Sequence, residues 1–186
     1  EAKHPGTFGG LVFFEPFVEK PGTRDPKIQR YIFDLALKRQ HRWDSRPAAA
    51  EYLENVKGFS TWDRECLAEW INGAIVSEKN GSDAVELACH PNIEAAIYCG
   101  ERLWLSDSEM GRVACPVSLH SSDDTWLFDP GFFEGIEKKW PHIYKNHPPM
   151  KSTTHNLVME KPTACAKAIH ADLKGLDCFK STFAKM

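Results

Sequence analysis

The stretch Gly9-Gly10-Leu11-Val12-Phe13-Phe14-Glu15-Pro16 constrains this chain more than any other. Its apolar residues are consecutive rather than alternating, they include β-branched and aromatic types, and Gly-Gly and Pro bound them. A strand covered on both faces reads this way, and such strands belong to parallel sheets. The strand also stops abruptly, on a carboxylate followed by proline.

Helical signals follow. Asp25-Pro26 is a cap with proline at the first helical position, and Ile28, Tyr31, Ile32, Leu35 and Leu37 continue at helical spacing as far as Trp43. Ser45-Arg46-Pro47 starts a second helix through Ala48, Ala49, Tyr52 and Leu53. Thr61 is positioned to cap a third, with Leu67, Trp70, Ile71 and Ile75 as its apolar stripe. The aromatics Tyr31, Phe33, Trp43, Trp62 and Trp70 read mainly as core. This block looks like an inserted helical layer, closed by the turn Asn80-Gly81-Ser82. Val85 and its neighbours then alternate as a short strand, and Asn92 to Tyr98 reads as helix. Cys115-Pro116-Val117-Ser118-Leu119-His120 is a second core strand, followed by the polar loop Ser121-Ser122-Asp123-Asp124. A helix over Phe132 to Lys139, an extended stretch from Pro148 to His155 and a last helix from Pro162 to Leu173 complete the chain.

Three polar groups therefore stand at strand ends: Glu15, the Asp123-Asp124 pair and His155. In open parallel sheets the active site lies beyond the carboxyl ends of the strands. A carboxylate on one ring nitrogen of a histidine fixes its tautomer and lets the other nitrogen take a proton from a nucleophile. The order of acid and then histidine is the one used by hydrolases built on such sheets.

On these residues the chain resembles the α/β-hydrolase family. Gly10 to Pro16 resembles its sixth strand. Pro116-Val117-Ser118-Leu119-His120-Ser121-Ser122-Asp123-Asp124 resembles the seventh strand and its acid loop. Thr154-His155-Asn156 with Met159-Glu160-Lys161-Pro162 resembles the catalytic-histidine loop and last helix. The fold class implied is α/β: the C-terminal portion of the hydrolase sheet with an inserted helical cap. The implied organisation is core over 1–16, cap over 17–111 and core over 112–186. The G-x-S-x-G elbow of the family is absent. Gly58-Phe59-Ser60-Thr61-Trp62 lacks the second glycine and follows no strand, so the resemblance puts the nucleophile upstream of Glu1, in a longer enzyme of which this chain is one part.

The resemblance implies an esterase-like enzyme acting on a small apolar or lipid-like ester, with His155 as base. Counting G-x-x-D with Ser121 in the glycine place makes Asp124 the first candidate for the triad acid. Glu15 is the second, because haloalkane dehalogenases in the family draw their acid from directly after the sixth strand, and Asp123 is the third. An upstream aspartate nucleophile would make the enzyme a dehalogenase or epoxide hydrolase instead. A degenerate, non-catalytic binding module is a further alternative.

The remaining seven histidines have structural readings: His4 in a helix-end His-Pro, His41 in a basic helix, His90 before Pro91 at a strand end, His120 as the end of a core strand, His142 and His147 beside a Pro-rich loop, and His170 on the last helix. No set of four ligands at zinc-type spacing occurs, and no phosphate-binding glycine motif, so neither metal nor cofactor is expected. With 23 basic against 26 acidic residues the net charge is −3, which removes nucleic acid as the leading partner. No apolar run approaches the ~20 residues of a membrane-spanning helix. The six cysteines have no paired spacing and read as reduced, mostly buried thiols of an intracellular protein. The tail Ala184-Lys185-Met186 resembles the tripeptide read by the peroxisomal import receptor, which implies that receptor as a partner and a peroxisomal location, with the cytoplasm as alternative.

Overall fold

A computed structural model describes residues 1–18, 25–78, 81–100, 104–125 and 130–176. The tail Ala184-Lys185-Met186, Cys178 and Asn80 lie outside the described residues. The chain divides into two compact units, one formed by Glu1–Glu19 with Leu103–Met186, the other by Lys20–Arg102.

The first unit is built on three parallel strands: β1 (Leu11–Phe14), β5 (Val117–His120) and β6 (Tyr144–Asn146), in the order β1-β5-β6. Leu11 pairs with Val117 and Phe14 with His120, while Val117 pairs with Tyr144 and Leu119 with Asn146. All three strands thus end at the same edge of the sheet. Val117, Leu119, Phe133, Ile136, Ile143 and Tyr144 form the core beneath it. Gly10 leads into β1, and a Cβ there would lie 2.5 Å from Leu176, so only glycine lets that side chain pack against the strand.

Helices α5 (Asp107–Met110), α6 (Pro130–Lys139), α7 (Leu157–Glu160) and α8 (Pro162–Gly175) complete this unit. Ser106 opens α5 with a reciprocal capping box to Glu109. Pro162 stands at the start of α8, where its missing N–H costs nothing. Leu157, with no exposed surface, anchors the segment that carries His155.

The second unit differs from the helical layer expected. It contains α1 (Pro26–Leu37), α2 (Arg46–Glu54), α3 (Arg64–Ala74) and α4 (Pro91–Cys99). It also contains an antiparallel sheet of β2 (Arg42–Trp43), β3 (Ile75–Ser77) and β4 (Val85–Leu87), in the order β2-β4-β3. Asp25 caps α1 and Ser45 caps α2, as their side chains suggest, but α1 ends at Leu37 rather than Trp43. Trp43 is buried from a strand instead of a helix. The cap of α3 is Asp63, which accepts from the N–H groups of Glu65 and Cys66, not Thr61. Phe59, Trp62 and Trp70 pack as one aromatic cluster, whereas Tyr31 is exposed. Burial of the cysteines also departs from expectation. Cys115 and Cys165 are buried, Cys66 is half-buried, and Cys89 and Cys99 are exposed. No helix among the described residues is long and apolar enough to cross a membrane.

Candidate active site

Glu15 follows β1 directly and is buried. Its backbone N–H donates to the carbonyl of His120, extending the β1–β5 ladder by one bond. Its φ is +48°, in the left-handed region that L-residues seldom occupy, and Pro16 follows. Such a conformation costs free energy and persists only where surrounding contacts hold it. Those contacts are visible on the carboxylate. Oε1 accepts from the N–H of Ser122 at 2.6 Å and from its hydroxyl at 3.2 Å. Oε2 accepts from the hydroxyl of Thr125 at 3.1 Å and lies 3.2 Å from Nδ1 of His155. Four donors from three residues thus fix one buried carboxylate at the carboxyl edge of the parallel sheet.

His155 is only part-buried: its side chain is 36% exposed against 2% for that of Glu15. With the proton on Nδ1, the bond to Glu15 leaves Nε2 as a proton acceptor, and among the described residues nothing bonds to it. The edge of the ring meets Phe17 at a centroid distance of 6.1 Å. Its loop is held on both sides. On the C-terminal side, the N–H and hydroxyl of Thr154 donate to the carboxylate of Glu160 at 2.7 and 2.9 Å. On the N-terminal side, Ser122 and Met150 form a parallel bridge, and the N–H of Thr153 donates to Asp123 at 3.1 Å.

The sequence-predicted residues therefore separate. The structure brings together Glu15 and His155, which are 140 positions apart. It does not put Asp124, the first candidate for the acid, on the histidine. The backbone N–H of Asp124 donates to Thr153 at 3.2 Å and its side chain is exposed. Asp123 instead clamps the loop, and the N–H groups of Thr153 and Ser152 hold its carboxyl below the usual carboxylate range. The physical reason is register. Pairing Phe14 with His120 puts Glu15 level with the turn after β5, so Glu15 receives the donors of that turn and Asp123-Asp124 fall one step further round it. Ser122 and Thr125 were not singled out from sequence. The only hint was their place in a polar loop at a strand end.

A second histidine–carboxylate cluster lies in the same unit. Nε2 of His120 is 2.7 Å from Oδ2 of Asp172, and Nε2 of His147 is 3.2 Å from Oδ1. The two imidazoles stack at 4.3 Å, and Phe14 covers the pair by stacking on His120 at 4.8 Å. Burial, and then the neighbouring His120, push the pKa of His147 below its ordinary value.

No family model matches the sequence, and neither does any curated protein. Solved structures do match the fold. The peroxisomal α/β-hydrolase Lpx1 from Saccharomyces cerevisiae superposes with a TM-score of 0.65 at 15% identity, over 92% of this chain and 47% of that one. A thioesterase domain from the curacin biosynthetic pathway gives 0.60 at 16% identity, over 90% of this chain and 59% of its own. An esterase from Mycobacterium tuberculosis gives 0.55 at 12% identity, over 89% and 52%.

The chain has an α/β fold, a parallel sheet with helices, that matches part of these α/β-hydrolase structures. The chain spans about half the length of these structures. At such identities the likeness extends to the fold and not to an activity.

Proposed function

We propose that this chain supplies the acid and the base of an α/β-hydrolase acting on a carboxylic ester or related acyl bond. In this reading β1, β5 and β6 are the sixth to eighth strands of the hydrolase sheet, and the unit from Lys20 to Arg102 is the inserted cap. The nucleophile, a serine, comes from a segment outside this sequence. The observation that carries the reading is the Glu15–His155 hydrogen bond at the carboxyl edge of a parallel sheet, with the carboxylate buried and the ring half open.

The chemistry follows from that geometry. Glu15 accepts the Nδ1 proton of His155, which leaves Nε2 free to take the serine proton as the hydroxyl attacks the acyl carbon. The imidazolium so formed lies against a fixed carboxylate, which stabilises it. His155 then returns the proton to the leaving alcohol, and the cycle repeats with water. Ser122 and Thr125 are positioning residues: they hold the carboxylate rather than touch the substrate. A small apolar ester is the substrate class we assign, on the family's use of its cap.

The test is turnover of short p-nitrophenyl esters by the full-length polypeptide. His155→Ala should lower kcat by ~1000-fold or more. A fall of less than tenfold overturns the assignment of the base.

One observation favours a second chemistry. The acid sits directly after β1, the position associated above with dehalogenases, where the nucleophile is an aspartate. A fluorophosphonate probe separates the two, since it labels an activated serine and not a carboxylate. Absence of labelling, of ester turnover and of haloalkane or epoxide turnover would leave a non-catalytic binding module.

A further inference from the structure

The hydrolytic reading leaves His120, His147 and Asp172 without a role. They come from three separate elements: the last residue of β5, the residue just after β6, and the third turn of α8. One donor atom from each lies within 4.8 Å of the others. The side chains are 6%, 20% and 9% exposed, so the cluster is largely withdrawn from water.

Burying two imidazoles against one carboxylate is costly unless every polar atom finds a partner. Here one does not. Nε2 of His120 bonds Asp172, but Nε2 of His147 is buried and unaligned for a hydrogen bond, although Oδ1 is 3.2 Å away. Both nitrogens face the same carboxylate. Two imidazole nitrogens and a carboxylate oxygen are the donor set that zinc takes in sites with three protein ligands and one water.

We propose that His120, His147 and Asp172 form a divalent-metal site of the zinc type, which ties β5, β6 and α8 together at the carboxyl edge of the sheet. The two rings stack at 4.3 Å and 13° from parallel, so metal binding requires one imidazole to rotate out of the stack until both Nε2 lone pairs converge on the ion. The ion completes the coordination of His147 and takes the place of the His120–Asp172 hydrogen bond. The ion joins three elements and keeps its fourth position open to water. It lies behind the strand ends that position Glu15, since His120 carries the carbonyl that receives the Glu15 N–H.

Zinc titration of the metal-stripped chain, followed by native mass spectrometry and calorimetry, tests this without any ester turnover. The expected result is one zinc per chain. His147→Ala and Asp172→Asn should each weaken binding by ~100-fold or more, beyond the loss typical of an outer-shell residue. The control His90→Ala should leave both stoichiometry and affinity unchanged. Zinc at ~100 times its Kd should raise the Tm by about 5 °C or more.

X-ray absorption on the unaltered chain decides the matter even if a variant fails to fold. The proposal requires a shell of nitrogen and oxygen at ~2.0–2.1 Å with scattering from two imidazoles. A sulfur shell at ~2.3 Å would assign the ion to cysteine instead. Sulfur ligation, no zinc retained at micromolar concentration, or equal affinity in the variants would each overturn the site.

Discussion

Two histidine–carboxylate clusters stand at the carboxyl edge of one three-stranded sheet, and they are built oppositely. In the first, Glu15 is the buried partner, gathers four donors and offers one oxygen to a ring that is 36% exposed. In the second, Asp172 is shared by two rings that are both largely covered and stacked on each other. The comparison teaches that a short imidazole–carboxylate contact does not by itself mark a catalytic pair. A base needs an open nitrogen and a carboxylate that cannot swing away. The Glu15 pair has both, whereas in the Asp172 cluster both rings are largely covered and turn Nε2 to the carboxylate.

The largest effect should separate the two carboxylates by activity. On the proposed hydrolytic reading, Glu15→Gln in the full-length polypeptide should reduce kcat/KM by ~10⁴-fold, as when a triad acid loses its charge. Asp172→Asn should cost less than about tenfold. Equal losses would erase the distinction between the clusters.

The next effect lies in the packing that presents His155. Leu157→Ala removes a fully buried side chain two residues beyond the histidine and should cost ~2–5 kcal/mol in urea unfolding. A cost under ~1 kcal/mol would mean that the loop is held by its polar clamps alone.

Ser122→Ala is a smaller perturbation. It deletes the 3.2 Å hydroxyl bond to Glu15 but keeps the 2.6 Å backbone bond, so a loss of ~0.5–1.5 kcal/mol is expected from denaturant melts. A much larger loss would show that the hydroxyl, not the backbone, holds the carboxylate.

The smallest effect is the acid dependence of the loop clamp. Backbone donors depress the pKa of Asp123 in the folded state. Its contribution to stability is therefore present above the unfolded value of ~3.9 and is lost as pH falls through the lower folded value. The gap in unfolding midpoint between the parent chain and Asp123→Asn should narrow as pH is lowered through that window. A gap independent of pH would remove Asp123 from the clamp.

What could be read without coordinates follows from how local each signal is. The run Leu11–Phe14 announces a parallel strand because its apolar residues are contiguous and Pro16 forbids extension, but the burial expected on both faces is not found: Leu11, Val12 and Phe14 are half-buried and Phe13 is exposed. Asp25, Ser45 and Pro162 mark helix starts because capping is a matter of neighbouring residues. By contrast, Tyr144–Asn146 contains one apolar residue, and only its pairing with Val117 to Leu119 makes it a strand. Arg42–Trp43 continued a helical pattern, yet pairing with Val85 and Glu86 made it an edge of a second sheet.

The same division runs through the candidate site. The sequence by itself determined an α/β chain with an acid at a strand end, and it singled out His155 from a polar loop ahead of a helix; the extended stretch expected over 148–155 is instead a loop, with His155 in a turn nine residues beyond β6. Only the tertiary structure decided that Glu15, rather than Asp124, meets that histidine, and that His120, His147 and Asp172 converge. Strand register and helix packing bring together side chains more than a hundred positions apart in one case, and from three elements in the other. No spacing along the chain encodes such distances, because they are set by which backbone groups pair across the sheet.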